Sequence, residues 1–113
     1  MKRALVILLI ALAPATSLAL DDALVNGTSW SVGVYENGKR GAVHPVPWEF
    51  QANGTVSAGK LWKGVWQPKD ENTVSVVITH QNKSTDQFEV NFLSSRQFLA
   101  FKNGQPYRYG QRR

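Results

Sequence analysis

The sequence predicts an all-β fold, an eight-stranded antiparallel up-and-down meander closed into a small barrel. Short runs alternate apolar and polar residues with period two, and turn residues recur about every ten positions. No stretch carries the 3.6-residue periodicity of an amphipathic helix, beyond a single turn that Asp21 and Asp22 would start. Closure is expected because an open meander would leave two unpaired edges that invite aggregation.

The chain of 113 residues opens with a segment unlike the rest. Lys2 and Arg3 precede an apolar stretch over residues 4–13, and Ser17 and Ala19 stand at the −3 and −1 positions of a cleavage site. These are the parts of a secretory signal, so residues 1–19 are assigned to a signal peptide and residues 20–113 to a single small domain in the periplasm or outside the cell. The apolar stretch is shorter than the ~20 residues that a membrane helix needs, and no second one follows, so no integral membrane segment is expected. With no Cys there is no disulfide framework, thiol nucleophile or thiolate metal site. Without Lys2 and Arg3 the balance is 11 basic to 8 acidic residues, and Arg108, Arg112 and Arg113 read as a solvated basic end.

The elements follow in order. Residues 28–35 place Trp30, Val32 and Val34 on one face of a first strand, and Asn37 and Gly38 suit the positive φ of a tight turn. Pro45 and Pro47 cannot sit inside a central strand, so residues 39–46 read as a loop. Trp48, Phe50 and Ala52 alternate in the second strand, Asn53 and Gly54 turn the chain, and Val56 and Ala58 resume in the third. In residues 61–67, Trp62, Gly64 and Trp66 share a face, where Gly64 leaves room between two indoles and the three form one patch. Residues 73–80 are the richest in β-branched side chains and send Val74, Val76, Ile78 and His80 inward. Phe88, Val90 and Phe92 mark the sixth strand and residues 98–101 the seventh. Residues 105–109 form the last, with Pro106 marking an edge or closing strand.

A turn that places Leu24 as a plug, then Gly27, Thr28, Ser29 and Trp30 opening the first strand, then a meander ending in an aromatic, arginine-containing strand, resembles the lipocalin-like, or calycin, barrels. The resemblance covers most of residues 24–109. It implies a barrel with one closed end, where the first-strand Trp packs under an Arg of the last strand; Trp30 and Arg108 occupy those places as the closure pair. An eight-stranded barrel of this kind is filled by side chains or holds one small ligand.

Signals for catalysis are sparse. His44 and His80 have no carboxylate at ligand spacing, so no metal and no cofactor is expected. No Gly-x-Ser-x-Gly elbow is present, and the carboxylates fall in turns or, as Glu49 and Glu89, out of phase with the apolar face, so the chain is not read as an enzyme. Tyr107, Arg108 and Tyr109 are the one place where basic and aromatic residues interleave, too little for a nucleic-acid surface. The tryptophans carry the functional reading, a binding protein for a small apolar or amphipathic ligand, with Trp48, Trp62, Trp66, Phe88 and Phe92 lining the site and His80 at its rim. The alternative is a protein-interaction module, an inhibitor or assembly factor for a secreted or periplasmic protein, acting through residues 36–47 with Lys39, Arg40 and His44. A carbohydrate-binding module would instead need outward-facing tryptophans.

Overall fold

In the computed structural model, which describes residue 20 and residues 22–113, the period-two pattern becomes nine antiparallel strands preceded by one 3-10 turn, Asp22–Leu24. The proposed signal segment lies outside the described residues. The strands are β1 (Thr28–Glu36), β2 (Lys39–Val43), β3 (Trp48–Phe50), β4 (Thr55–Ala58), β5 (Trp62–Asp70), β6 (Thr73–Thr79), β7 (Thr85–Ser94), β8 (Gln97–Lys102) and β9 (Gln105–Arg112). All eight strands expected from the sequence are present. β1 and β3 to β9 pair in order, and β9 returns to β1 between the Trp30–Arg112 and Val34–Arg108 pairs, which closes an eight-stranded barrel.

β2 is the additional strand, and it corrects the reading of residues 39–46 as a loop. Asn37 and Gly38, with φ of 53° and 74°, fold Lys39–Val43 back onto the upper part of β1, while β3 pairs with its lower part, Thr28–Trp30. β2 and β3 thus run as one strand that the prolines break. All five residues of β2 are exposed, so it has no buried face and leaves no alternation to detect. The first residue after it stays attached, because the His44 N–H donates to the Val32 carbonyl at 2.8 Å.

One end of the barrel is packed shut. Trp30 is completely buried, with the rings of Phe92 and Phe98 at 5.4 and 5.0 Å. Its indole N–H donates to Thr28 Oγ1 at 2.8 Å, and that hydroxyl donates to the Val25 carbonyl at 2.7 Å. The one polar atom of Trp30 therefore fastens the plug, in which Val25 is fully buried and Leu24 and Leu20 are partly so. A buried indole N–H without an acceptor would carry the whole cost of its desolvation.

The expected closure pair is corrected. Arg108 lies opposite Val34 and Ala100, away from Trp30, and its guanidinium sits 3.9 Å from the Tyr107 ring centroid. Arg112 is the arginine in register with Trp30, and its Nη1 donates to the carbonyls of Ala23 and Ser95 at 3.3 and 3.4 Å. β9 runs on to Arg112, so residues read as part of a solvated basic end belong to the closing strand.

Gly64 is corrected as well. It faces no opening between indoles, because a Cβ there would collide with the Val77 carbonyl oxygen on β6 and fall 2.8 Å from Ile78 Cδ1. Trp62 and Trp66 accordingly part, Trp62 toward Trp48 and Phe88 and Trp66 toward Phe50. Gly33 is also a close-approach position. The Tyr109 ring lies across it on the outer wall, and the Tyr109 hydroxyl donates to the Gly41 carbonyl at 3.2 Å, which ties β9 to β2 over the back of β1.

Trp30→Ala is expected to lower stability by about 3–5 kcal/mol in urea unfolding, the cost of truncating a large buried aromatic. A loss under about 0.5 kcal/mol, the usual range for surface changes, would contradict the packed end.

Candidate functional site

At the other end the interior is not filled. Val32 and Ala58 stand above the level filled by Trp30, Phe50, Phe92 and Phe98, and a cavity of about 300 Å³ opens to solvent. Its wall is aromatic. Trp48 and Trp62 lie 4.8 Å apart between ring centroids, Trp62 and Phe88 6.1 Å, and Phe88 stacks on Tyr107 at 5.7 Å with an interplanar angle of 19°. Val46 and His44, from the proline-broken segment, also line the cavity, with Val46 close to Gly59 in the turn after β4.

A bulge sets the chemistry of the mouth. Ala100 pairs with Arg108 and Phe101 with Pro106, so Tyr107 is an extra residue in β9. Period two would send Tyr107 and Arg108 to opposite faces of the sheet, yet both line the cavity. Arg108 Nη1 donates to the Tyr107 carbonyl at 3.0 Å. Among the described residues no carboxylate pairs with Arg108.

A short polar chain completes the rim. Asp86 accepts from His80 Nε2 at 2.7 Å and from Lys102 Nζ at 2.9 Å. The His80 hydrogen bond and then that of Lys102 hold the Asp86 carboxyl below the usual carboxylate range, and the bond to Asp86 raises Lys102 in turn. These contacts tie the upper end of β7 to that of β8 and to the turn after β6. They also occupy two of the basic groups beside the aromatic wall, His80 and Lys102.

Of the residues expected to meet a ligand, Trp48, Trp62, Phe88 and His80 line the cavity. Trp66 and Phe92 do not. Trp66 is buried below it and donates its indole N–H to the Gln51 carbonyl at 3.0 Å, and Phe92 packs at the closed end with Trp30 and Phe98. Trp62 and Trp66 share a face but stand four residues apart on one strand, about 13 Å at ~3.3 Å per residue, so one reaches the mouth and the other the core. His44, assigned with Lys39 and Arg40 to a partner surface, lines the cavity instead. Lys39 and Arg40 are exposed on β2, where the Arg40 guanidinium lies 4.9 Å from the Tyr109 ring centroid on the outer wall.

Sequence reasoning missed Val32, Val46, Ala58, Asp86, Tyr107 and Arg108 as cavity residues. Val32, Ala58 and Asp86 are in phase with inward neighbours and could have been found; Tyr107 depends on the bulge, which leaves no signal in the pattern. Among the described residues no tryptophan stands on the outer wall: Trp30, Trp48 and Trp66 are buried and Trp62 packs partly buried against the core. A larger open groove of about 580 Å³ crosses the outer face near Gln87, Asn91 and Phe101, and the Lys69–Glu89 ion pair occupies part of it. Among the described residues there is no group of three or more metal-ligating side chains, and no helix is long and apolar enough to cross a membrane.

No family model matches the chain, and no curated protein or solved structure is significantly similar to it.

The rim should be visible in the pH dependence of stability. Because the Asp86 value is lowered on folding, its stabilising effect is complete above the ordinary carboxylate range near pH ~4 and is lost as pH falls through the lowered value. Thermal melts should therefore show wild type above Asp86→Asn at pH 7, with the gap closing under acid. A gap that is absent at pH 7, or unchanged down to pH 2, would contradict the bridging role of Asp86.

Proposed function

We propose that this is an exported, non-enzymatic binding protein of lipocalin-like architecture that takes one small apolar or amphipathic molecule into the open end of its barrel. The observation that carries the reading is the asymmetry of the interior: one end is filled by Trp30, Phe50, Phe92 and Phe98, and the other holds a cavity of about 300 Å³ walled by Trp48, Trp62, Phe88 and Tyr107. That volume is at the low end for small-molecule sites, which are concave, largely apolar and furnished with a few convergent polar groups. Trp62 is half-buried at the mouth, so apolar surface remains there for a ligand to cover. Export is supported by the features of residues 1–19 alone.

A second reading keeps the protein-interaction module. It rests on β2, which pairs only with β1, is exposed at all five residues and leaves Val43 54% exposed. An extended segment of another protein could add to that free edge.

Fluorescence titration with the neutral dye N-phenyl-1-naphthylamine separates the two. Saturable binding of one dye per chain is expected, weakened about tenfold or more in Trp62→Ala, since an aromatic contact is worth roughly 0.5–1.5 kcal/mol beyond its buried area. Absence of binding by a folded wild-type protein would overturn the ligand reading and direct attention to β2.

A further inference from the structure

The charge of the mouth points to the kind of ligand. His80 and Lys102 are both engaged by Asp86, whereas Arg108, which lines the cavity, has no carboxylate partner among the described residues. Its hydrogen bond to the Tyr107 carbonyl and its stacking on the Tyr107 ring at 3.9 Å hold the guanidinium plane in place. A guanidinium offers five N–H donors in a rigid fork, so donors remain for a ligand. A neutral molecule seated against the aromatic wall would strip water from this cation and return nothing. An acidic group would replace that water with charge-assisted hydrogen bonds, two of them parallel in the bidentate case.

The distribution of charge over the barrel supports this independently. The turns and strand ends at the open end carry Lys39, Lys60, Lys63, Lys83 and Lys102 besides Arg108, against Glu36 and Asp86. Over the rest of β1 to β9 and the final residue, Arg40, Lys69, Arg96, Arg112 and Arg113 stand against Glu49, Asp70, Glu71 and Glu89, nearly in balance. The positive field is concentrated at the mouth, where low-dielectric walls focus it and raise the local concentration of anions.

We infer that the ligand is an anionic amphiphile, whose flat or narrow apolar body lies along Trp48, Trp62 and Phe88 and whose carboxylate, sulfonate or phosphate head is received by Arg108. This rests on the ligand reading above and narrows it. The same chemistry is offered by a free organic acid and by an acidic lipid at a bilayer surface.

The test compares two dyes with one ring system, N-phenyl-1-naphthylamine and 8-anilino-1-naphthalenesulfonate, which differ by the sulfonate. Wild type is expected to bind the sulfonate about tenfold more tightly, as one charge-assisted hydrogen bond allows. Added salt should weaken the sulfonate more than the neutral dye. Arg108→Gln should remove the preference and leave the neutral dye bound, Arg108→Lys should keep part of it, and thermal melts confirm that each variant is folded. Equal affinity for the two dyes, or a preference that survives Arg108→Gln, would overturn the inference while the bound neutral dye keeps the ligand reading. If neither dye binds, both fall. Sedimentation with phosphatidylglycerol and phosphatidylcholine vesicles distinguishes the sources: Arg108-dependent capture on the former alone assigns the head to a bilayer lipid. A dye preference without capture assigns it to a free amphiphile.

Discussion

The pairing of β1 with β9 turns a meander into a tube, and both ends of the molecule depend on it. From Trp30 opposite Arg112 to Val34 opposite Arg108, this ladder gives the sheet an inside. The outer wall reinforces it, since Tyr109 crosses Gly33 and reaches Gly41 on β2, so three strands are tied by one side chain. β1 can do this because its other edge is divided, with β3 along its lower part and β2 along its upper part. A barrel closed in this way has no continuous free edge except the short, cationic β2.

Closure confines the large inward side chains to a narrow interior, and their order along the strands then decides where space remains. At the starts of β1 and β8 and the end of β7, Trp30, Phe98 and Phe92 meet under a plug that the Trp30–Thr28–Val25 hydrogen bonds fasten. Toward the other end Val32 and Ala58 are too small to fill the same cross-section. The cavity therefore opens where small side chains leave space between the aromatic walls. The bulge at Tyr107 adds the polar element, because it brings an aromatic ring and a guanidinium to one wall.

Much of the barrel was legible in the sequence because half-buried strands must alternate. Trp30, Val32, Val74, Val76, Ile78, Phe88, Val90 and Phe92 all face inward as their phase demands. β2 was not legible, since a strand exposed on every residue is under no pressure to alternate. The site was legible only in part. Phase told which face Trp48, Trp62, Trp66, Phe88 and Phe92 occupy, but depth along the barrel axis comes from register. Register between distant strands placed Trp66 and Phe92 in the core and left the other three at the cavity. The misassigned closure pair has the same origin: Arg108 and Arg112 are both inward on β9, and only their partners on β1 show which one lies beside Trp30.

The division of the four inward tryptophans, two holding the closed end and the core and two lining the cavity, carries the proposed function. It is tested most directly by following the four indole N–H signals in ¹⁵N–¹H correlation spectra as N-phenyl-1-naphthylamine is added. Trp48 and Trp62 are expected to shift on binding, while Trp30 and Trp66, whose indole N–H groups are held by Thr28 and Gln51, stay in place and exchange slowly with solvent. Shifts at Trp30 and Trp66 while Trp48 and Trp62 remain still would contradict the division of the barrel into a sealed end and a receptive one.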